Sequence, residues 1–142
     1  MLSAVLDTNV LASGALTSST IPRQIFNLWR KGYFKLYISS FIIEELKEVF
    51  RKQFFKRLMI EQDADGFVNL LETDAIPVQL IIKVKEVATH PEDDFILATA
   101  VNAKADYLVT GDRHLQDLKQ FKGIKIVSPR TFLEIIEDEK AA

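Results

Sequence analysis

The sequence contains no cysteine. That excludes disulfides, thiolate-bound metals and a cysteine nucleophile, and it fits a reducing compartment. Glycine and proline are sparse, at five and four residues. They form no Gly/Pro/Ser-rich linker, and neither an internal repeat nor a low-complexity stretch is present. Long hydrophobic runs are also missing. The apolar stretches, such as those within Ile38–Ile43 and Val78–Ile82, fall short of the roughly 20 residues a membrane span needs. The first residues lack a basic region and meet a charge at Asp7, so no secretory signal is read there and a soluble, cytoplasmic protein is expected. Excess charge of either sign is lacking too: 18 basic against 20 acidic residues leave a net charge of −2. Bulk electrostatics will not draw this chain onto nucleic acid, so a polyanion must be bound by a local basic patch or through metal ions.

What is present is an ordinary globular balance, 48% hydrophobic and 27% charged over 142 residues, the size of one domain spanning residues 1–142. A chain this long buries roughly two thirds of its unfolded surface. The run Leu2–Leu6 predicts a buried strand ending at Asp7. A small, polar loop is expected over Ser13–Thr20. Pro22 suits the first turn of a helix with Ile25, Phe26, Leu28 and Trp29 as its apolar face, stopped by Gly32. Phe34–Ile38 reads as a second strand, and Ser39 or Ser40 as the cap of a helix whose apolar positions are Phe41, Ile42, Leu46, Val49 and Phe50. Further helical pieces are expected over Phe54–Leu58 and Asp65–Leu71, and a strand over Ile76–Ile82. His90–Asp93 reads as a turn and cap opening a helix from about Asp94 to Ala105. Strands at Tyr107–Thr110 and Ile124–Val127 and a helix from Pro129 complete the pattern. Strands alternating with helices predict an α/β fold, a three-layer α/β/α sandwich around a mainly parallel sheet.

In such a sheet, ligands sit beyond the carboxyl ends of the strands. Asp7 and Asp112 follow two strands directly. Asp93 and Asp94 lie at a helix start, and Glu44 and Glu45 in the opening turns of the helix after the second strand. Each acid alone has an ordinary structural role: a turn bond for Asp7 or Asp112, an N-cap for Asp93, the positive helix end for Asp94, a solvated face for the glutamates. Their coincidence at one rim points to a cation, because crowded carboxylates repel unless compensated. Oxygen-only ligands suit Mg²⁺ or Mn²⁺, which polarises a phosphodiester and lowers the pKa of bound water. The two histidines, His90 and His114, read as loop residues.

At these residues the chain resembles the PIN domain nucleases. Val5-Leu6-Asp7-Thr8-Asn9-Val10 resembles the family's opening strand and first acid. Ser39–Leu46 resembles its second motif, His90–Ala98 its third and Ala105–Asp112 its fourth, in order and over nearly the whole chain. The resemblance implies a Rossmann-like fold and Mg²⁺- or Mn²⁺-dependent cleavage of single-stranded RNA. It implies Asp7, Glu45, Asp93 and Asp112 as metal-site acids, with Asp94 the rival to Asp93 and Glu45 preferred to Glu44. Asn9 and Thr110 match accompanying polar positions. Small members are often toxins that pair with an antitoxin protein and form homodimers, so both partners are expected.

Arg51, Lys52, Lys56 and Arg57 interleave with Phe50, Phe54 and Phe55, a pattern that serves either RNA contact or an amphipathic helix. Arg23 and Arg113 are separate phosphate-contact candidates. Other functions compete. A haloacid-dehalogenase-type phosphatase shares the Asp7-Thr8-Asn9 start and Gly111-Asp112, but it wants an Asp where Asn9 stands. It also leaves Glu45 and Asp93 without a task. A PIN module that binds RNA or protein without cutting fits poorly with a complete set of acids. A structure-specific DNA nuclease lacks an inserted DNA-binding segment here.

Overall fold

A computed structural model describes residues 1–16 and 19–141, with Gln53 described by its backbone only. Strand β1 (Ser3–Leu6) is the pivot of a sheet ordered β3-β2-β1-β4-β6-β5, with β2 at Lys35–Ile38, β3 at Ile76–Pro77, β4 at Tyr107–Val109, β5 at Gln120–Phe121 and β6 at Ile124–Val127. All pairings are parallel except β5 with β6. Successive residues of a strand point to opposite faces. Ala4, Val5 and Leu6 are all buried, as are Leu108 and Val109. Both faces of the sheet are therefore covered, as an apolar run without alternation demands.

The covering helices are α1 (Thr8–Gly14), α2 (Ile21–Arg30), α3 (Ser40–Arg51), α4 (Gln53–Leu58), α5 (Glu61–Asp74), α6 (Pro91–Ala103), α7 (Arg113–Asp117) and α8 (Pro129–Ala141). Among the described residues no helix is long and apolar enough to cross a membrane. The anticipated face of α2 is buried: Ile25, Phe26, Leu28 and Trp29. The left-handed Gly32 (φ 85°) follows its end. Ser39, not Ser40, caps α3, its hydroxyl accepting from the Ile42 amide at 3.4 Å.

Four expectations need correction. The expected loop from Ser13 begins inside α1, which Asp7 caps directly after β1; Thr17 and Ser18 of that loop lie outside the described residues. Gly14 permits this arrangement, since a Cβ there would meet the Pro22 carbonyl oxygen at 3.2 Å. Helix α6 starts at Pro91 rather than near Asp94, which places Asp93 in the first turn instead of at the cap. A short helix and an antiparallel edge strand, α7 and β5, stand between β4 and β6, where no element was read.

The fourth difference is the strand expected over Ile76–Ile82, which pairs only through Ile76 and Pro77, plus one bond from the Val78 amide to Ile38 at 2.8 Å. Pro77 has no amide to donate. Beyond it a strap, residues 78–90, is held by α6 instead of by a neighbouring strand. Asn102 accepts from the Ile81 and Ile82 amides at 3.1 and 2.8 Å and donates to the Ile82 carbonyl at 2.8 Å. Asp94 accepts from the amides of Glu86, Val87 and Ala88 at 2.9, 3.2 and 2.8 Å. Removing this buried carboxylate leaves three part-buried strap amides without their acceptor, which is costly. Asp94→Ala is expected to lose about 2–3 kcal/mol, or roughly 6–12 °C of melting temperature. Asp93→Ala should stay within about 2 °C of the parent. Thermal melts of the two variants side by side check this.

Candidate active site

The sheet order reverses direction at β1: the chain runs outward through β2 and β3, then crosses back to β4 on the other side. A crevice opens beyond the carboxyl ends of the two strands at such a switch point. Asp7 follows β1 and Asp112 follows β4, so the topology delivers two carboxylates to one spot. Helices α3 and α6, which start at the same edge, deliver Glu45 and Asp93. All four line one cleft of about 330 Å³. Two larger hollows, of about 1050 and 660 Å³, lie around α4 and α5. Size does not identify the site here, because neither larger hollow gathers these acids.

Each acid is held differently. Asp7 is 8% exposed. Its Oδ1 accepts from the Val10 amide at 2.9 Å, capping α1, and its Oδ2 accepts from the Thr110 hydroxyl. The Thr110 hydroxyl also accepts from the Asp112 amide at 3.0 Å, linking the two acids through one side chain. Asp112 caps α7, accepting from the His114 amide at 2.7 Å. Glu45 accepts from the Thr8 hydroxyl. Asn9 stands exposed in the cleft wall.

Burial pushes the Asp7 carboxyl above the ordinary range; the bonds from Thr110 and Val10 oppose this, and the charges of Asp112 and Glu45 add to it. Asp93, half-buried, is pushed up to about 6, by burial first and then by Asp112, Glu92 and Asp7, with His90 pulling the other way. The carboxylates therefore feel one another, and ionising them together is unfavourable.

Asp94 is not brought to the cleft. Its two oxygens face the strap amides. Glu44 is exposed and pairs with Lys47 at 3.3 Å. Of the basic candidates, Lys52 lines the cleft. Arg113 is exposed in the first position of α7. Arg23 donates to the Gly14 carbonyl at 3.1 Å and lies over the Phe26 ring, lining a different hollow. Arg51 pairs with Glu48 and lines the third. The sequence reading missed Thr8, Glu48, Glu92 and His90, all of which line the cleft. His90 was legible only as a loop residue before Pro91; it stands exposed at the cap of α6, at the edge of the cleft.

Among the described residues, no three Asp, Glu or His side chains form a closed metal-binding group. The donor set is nevertheless that of a hard cation: all oxygen, mutually repelling, and half-open. Mg²⁺ in particular takes only one or two protein carboxylates directly and keeps several waters. The residues present fit such an ion held partly through water.

A sequence profile of the PIN domain matches residues 3–114. No curated protein sequence matches the chain. Among solved structures, the crystal structure of VapBC2 from Rickettsia felis bound to a DNA fragment from their promoter is similar, with a TM-score of 0.61. The likeness covers 89% of this chain and 98% of that one at 15% identity, and at that identity it bears on the fold alone.

The raised acids give a pH dependence with a definite sign. An acid whose folded pKa lies above its unfolded value stabilises the fold while protonated, and that contribution is lost as pH rises through the folded pKa. For Asp93 the window runs from 3.8 to about 6. In EDTA, the melting temperature of wild type minus that of Asp93→Asn should fall across this window. The variant should end about 2 °C more stable at pH 7.5, a figure discounted for Asp93's exposure. A difference that stays flat or rises would contradict the assigned repulsion.

Proposed function

The chain belongs to the PIN domain family, and on that premise we propose that it is a metal-dependent endoribonuclease that hydrolyses single-stranded RNA in the acidic cleft. One observation carries the reading: four carboxylates from four separate segments, Asp7, Glu45, Asp93 and Asp112, line a single cleft at the switch point of the sheet. A phosphatase of the haloacid dehalogenase type uses the acids after β1 and β4 but leaves Glu45 and Asp93 unexplained, and a non-catalytic module explains none of the crowding.

In this reading Asp7, Glu45, Asp93 and Asp112 hold Mg²⁺ or Mn²⁺, directly or through water. A bound ion supplies Lewis-acid polarisation of the phosphodiester and a water of lowered pKa. The chain's own side chains do the positioning. Thr110 fixes Asp7 and the Asp112 backbone, Thr8 fixes Glu45, and Asn9 offers a polar contact at the wall. Such partners orient metal-holding carboxylates. Lys52 contacts a substrate phosphate at the cleft, and Arg113 a neighbouring one. Arg51, paired in solvent with the cleft-lining Glu48, stands beside the cleft as a further contact, whereas Arg23 is held against the Gly14 carbonyl and the Phe26 ring in a different hollow. The toxin role, an antitoxin partner and a homodimer belong to the same proposal. Phe54, Leu58 and Ile60, exposed around α4, support a protein-covered surface there.

Cleavage of a labelled single-stranded RNA with Mn²⁺ or Mg²⁺ tests the reading. Activity should vanish in EDTA and fall at least about 100-fold in Asp7→Asn and Asp112→Asn, with both variants folded by circular dichroism. Wild-type rates in either variant would remove the site assignment. Lys52→Gln should raise KM and lower the slope of log affinity against log salt by about one. An unchanged slope would take Lys52 off the phosphate path.

A further inference from the structure

Helix α6 is buried along Ile96–Ala100, yet the adjoining Phe95 is 49% exposed. Its ring stacks on Phe41 of α3, with centroids 4.6 Å apart and planes 19° from parallel. Five other aromatic contacts among the described residues, such as Phe34–Phe132 at 89° and Phe26–Trp29 at 65°, are edge-on, and two, Phe26–Phe67 at 31° and Tyr107–Phe132 at 59°, are tilted. Edge-on pairs are the usual way for rings to fill a core. A near-parallel pair at the surface instead makes a flat stack that can be extended.

The pair adjoins the acidic cleft on both helices. Phe41 lies one turn before Glu45 and two before Glu48, on one stripe of α3. Phe95 lies one turn after Glu92 and beside Ile96. Glu45, Glu48, Glu92 and Ile96 all line the cleft. The helices are locked together here by the Ser39 and Thr99 hydroxyls at 2.8 Å. At the other end of the same stripe stands Lys52.

We propose that the Phe41–Phe95 stack seats an unpaired nucleobase next to the acidic cleft, a role that rests on the nuclease reading and makes the single strand its selected substrate. Base-on-aromatic stacking is the sequence-tolerant way proteins grip single strands. A paired base inside a duplex has both faces covered and cannot extend the stack. A protein partner fits poorly: the exposed Glu44 and Glu92 lie one helical turn from Phe41 and Phe95 on their own helices. The exposed ring offers far less apolar area than the roughly 800 Å² per side of a stable interface. From Lys52 to Phe41 the stripe spans on the order of 16 Å, long enough for a phosphate at one end, the acids in the middle and a base at the other.

Three variants test the seat: Phe95→Ala, Phe95→Leu and Phe95→Trp. Leucine keeps the apolar contact with Phe41 but removes the π face; tryptophan enlarges that face. With single-stranded RNA and Mn²⁺, the Ala and Leu variants should raise KM about 10-fold with kcat within about twofold. The Trp variant should restore KM. In a separate titration without metal, the Phe95→Trp emission should be quenched by a single-stranded RNA and not by an abasic strand of equal length. A Phe95→Leu variant that melts normally and keeps the wild-type KM overturns the seat, as does equal quenching by both strands. If no protein, wild type included, cleaves RNA while the selective quenching persists, the seat stands and the nuclease reading fails.

Discussion

The Asp7 carboxylate accepts the Val10 amide through one oxygen and the Thr110 hydroxyl through the other. It thereby ties the first turn of α1 and the residue after β4 to the end of β1, the strand on which the sheet pivots. The rest of the site is arranged around this knot. Thr110 passes the constraint on to the backbone of Asp112, and Thr8, the first residue of the helix Asp7 caps, reaches Glu45 on α3. A carboxylate this deeply buried is expensive. Two neutral hydrogen bonds offset part of that cost while leaving its charge free to act on whatever enters the cleft.

Adjacent residues of α6 show how differently the fold treats a carboxylate. Asp94 receives three backbone amides and fastens the strap, so its charge is consumed in holding structure. Asp93 meets burial and like charges instead, and its proton is held to about pH 6. The first arrangement stabilises the folded chain and the second strains it. Strain of this kind persists in folded proteins mainly where function requires it. On the proposed reading the contrast favours Asp93 over Asp94, because both oxygens of Asp94 accept the strap amides.

The parts of the fold legible in the sequence were those with strong local signals. The uninterrupted apolar run of β1, Pro22 opening α2, the seryl cap of α3, and the β6 run each fixed an element by local chemistry. The illegible parts depend on distant partners. Helix α1 is too short for a periodic pattern and exists because Asp7 caps it against β4. The apolar residues after Pro77 read as a strand, but Asn102, about 20 positions away in sequence, takes their amides. Of the site, the four acids were visible because strand ends and helix starts share one edge of a parallel sheet. The position of His90 at the edge of the cleft and the anchoring of Arg23 on the Gly14 carbonyl and Phe26 were not visible, since neither follows from the spacing of residues. The stacking of Phe95 on Phe41 joins residues more than fifty positions apart.

A cleft lined by carboxylates, on a chain of net charge −2, repels the polyanion it is proposed to cut. Long-range attraction therefore supplies little of the binding, and Lys52 at the cleft with Arg51 beside it cannot reverse the local sign. On the proposed reading, two contributions remain. One is compensation of the acids by a cation, which turns a repulsive surface into one that accepts a phosphate. The other is uncharged: stacking on Phe95, which does not sense the acids at all. Cation and RNA then favour one another's binding, since each relieves a penalty the other faces, and such coupling is reciprocal. On this reading a base-gripping surface beside the acidic centre adds a contribution that like charge does not oppose, and it complements the cation rather than replacing it.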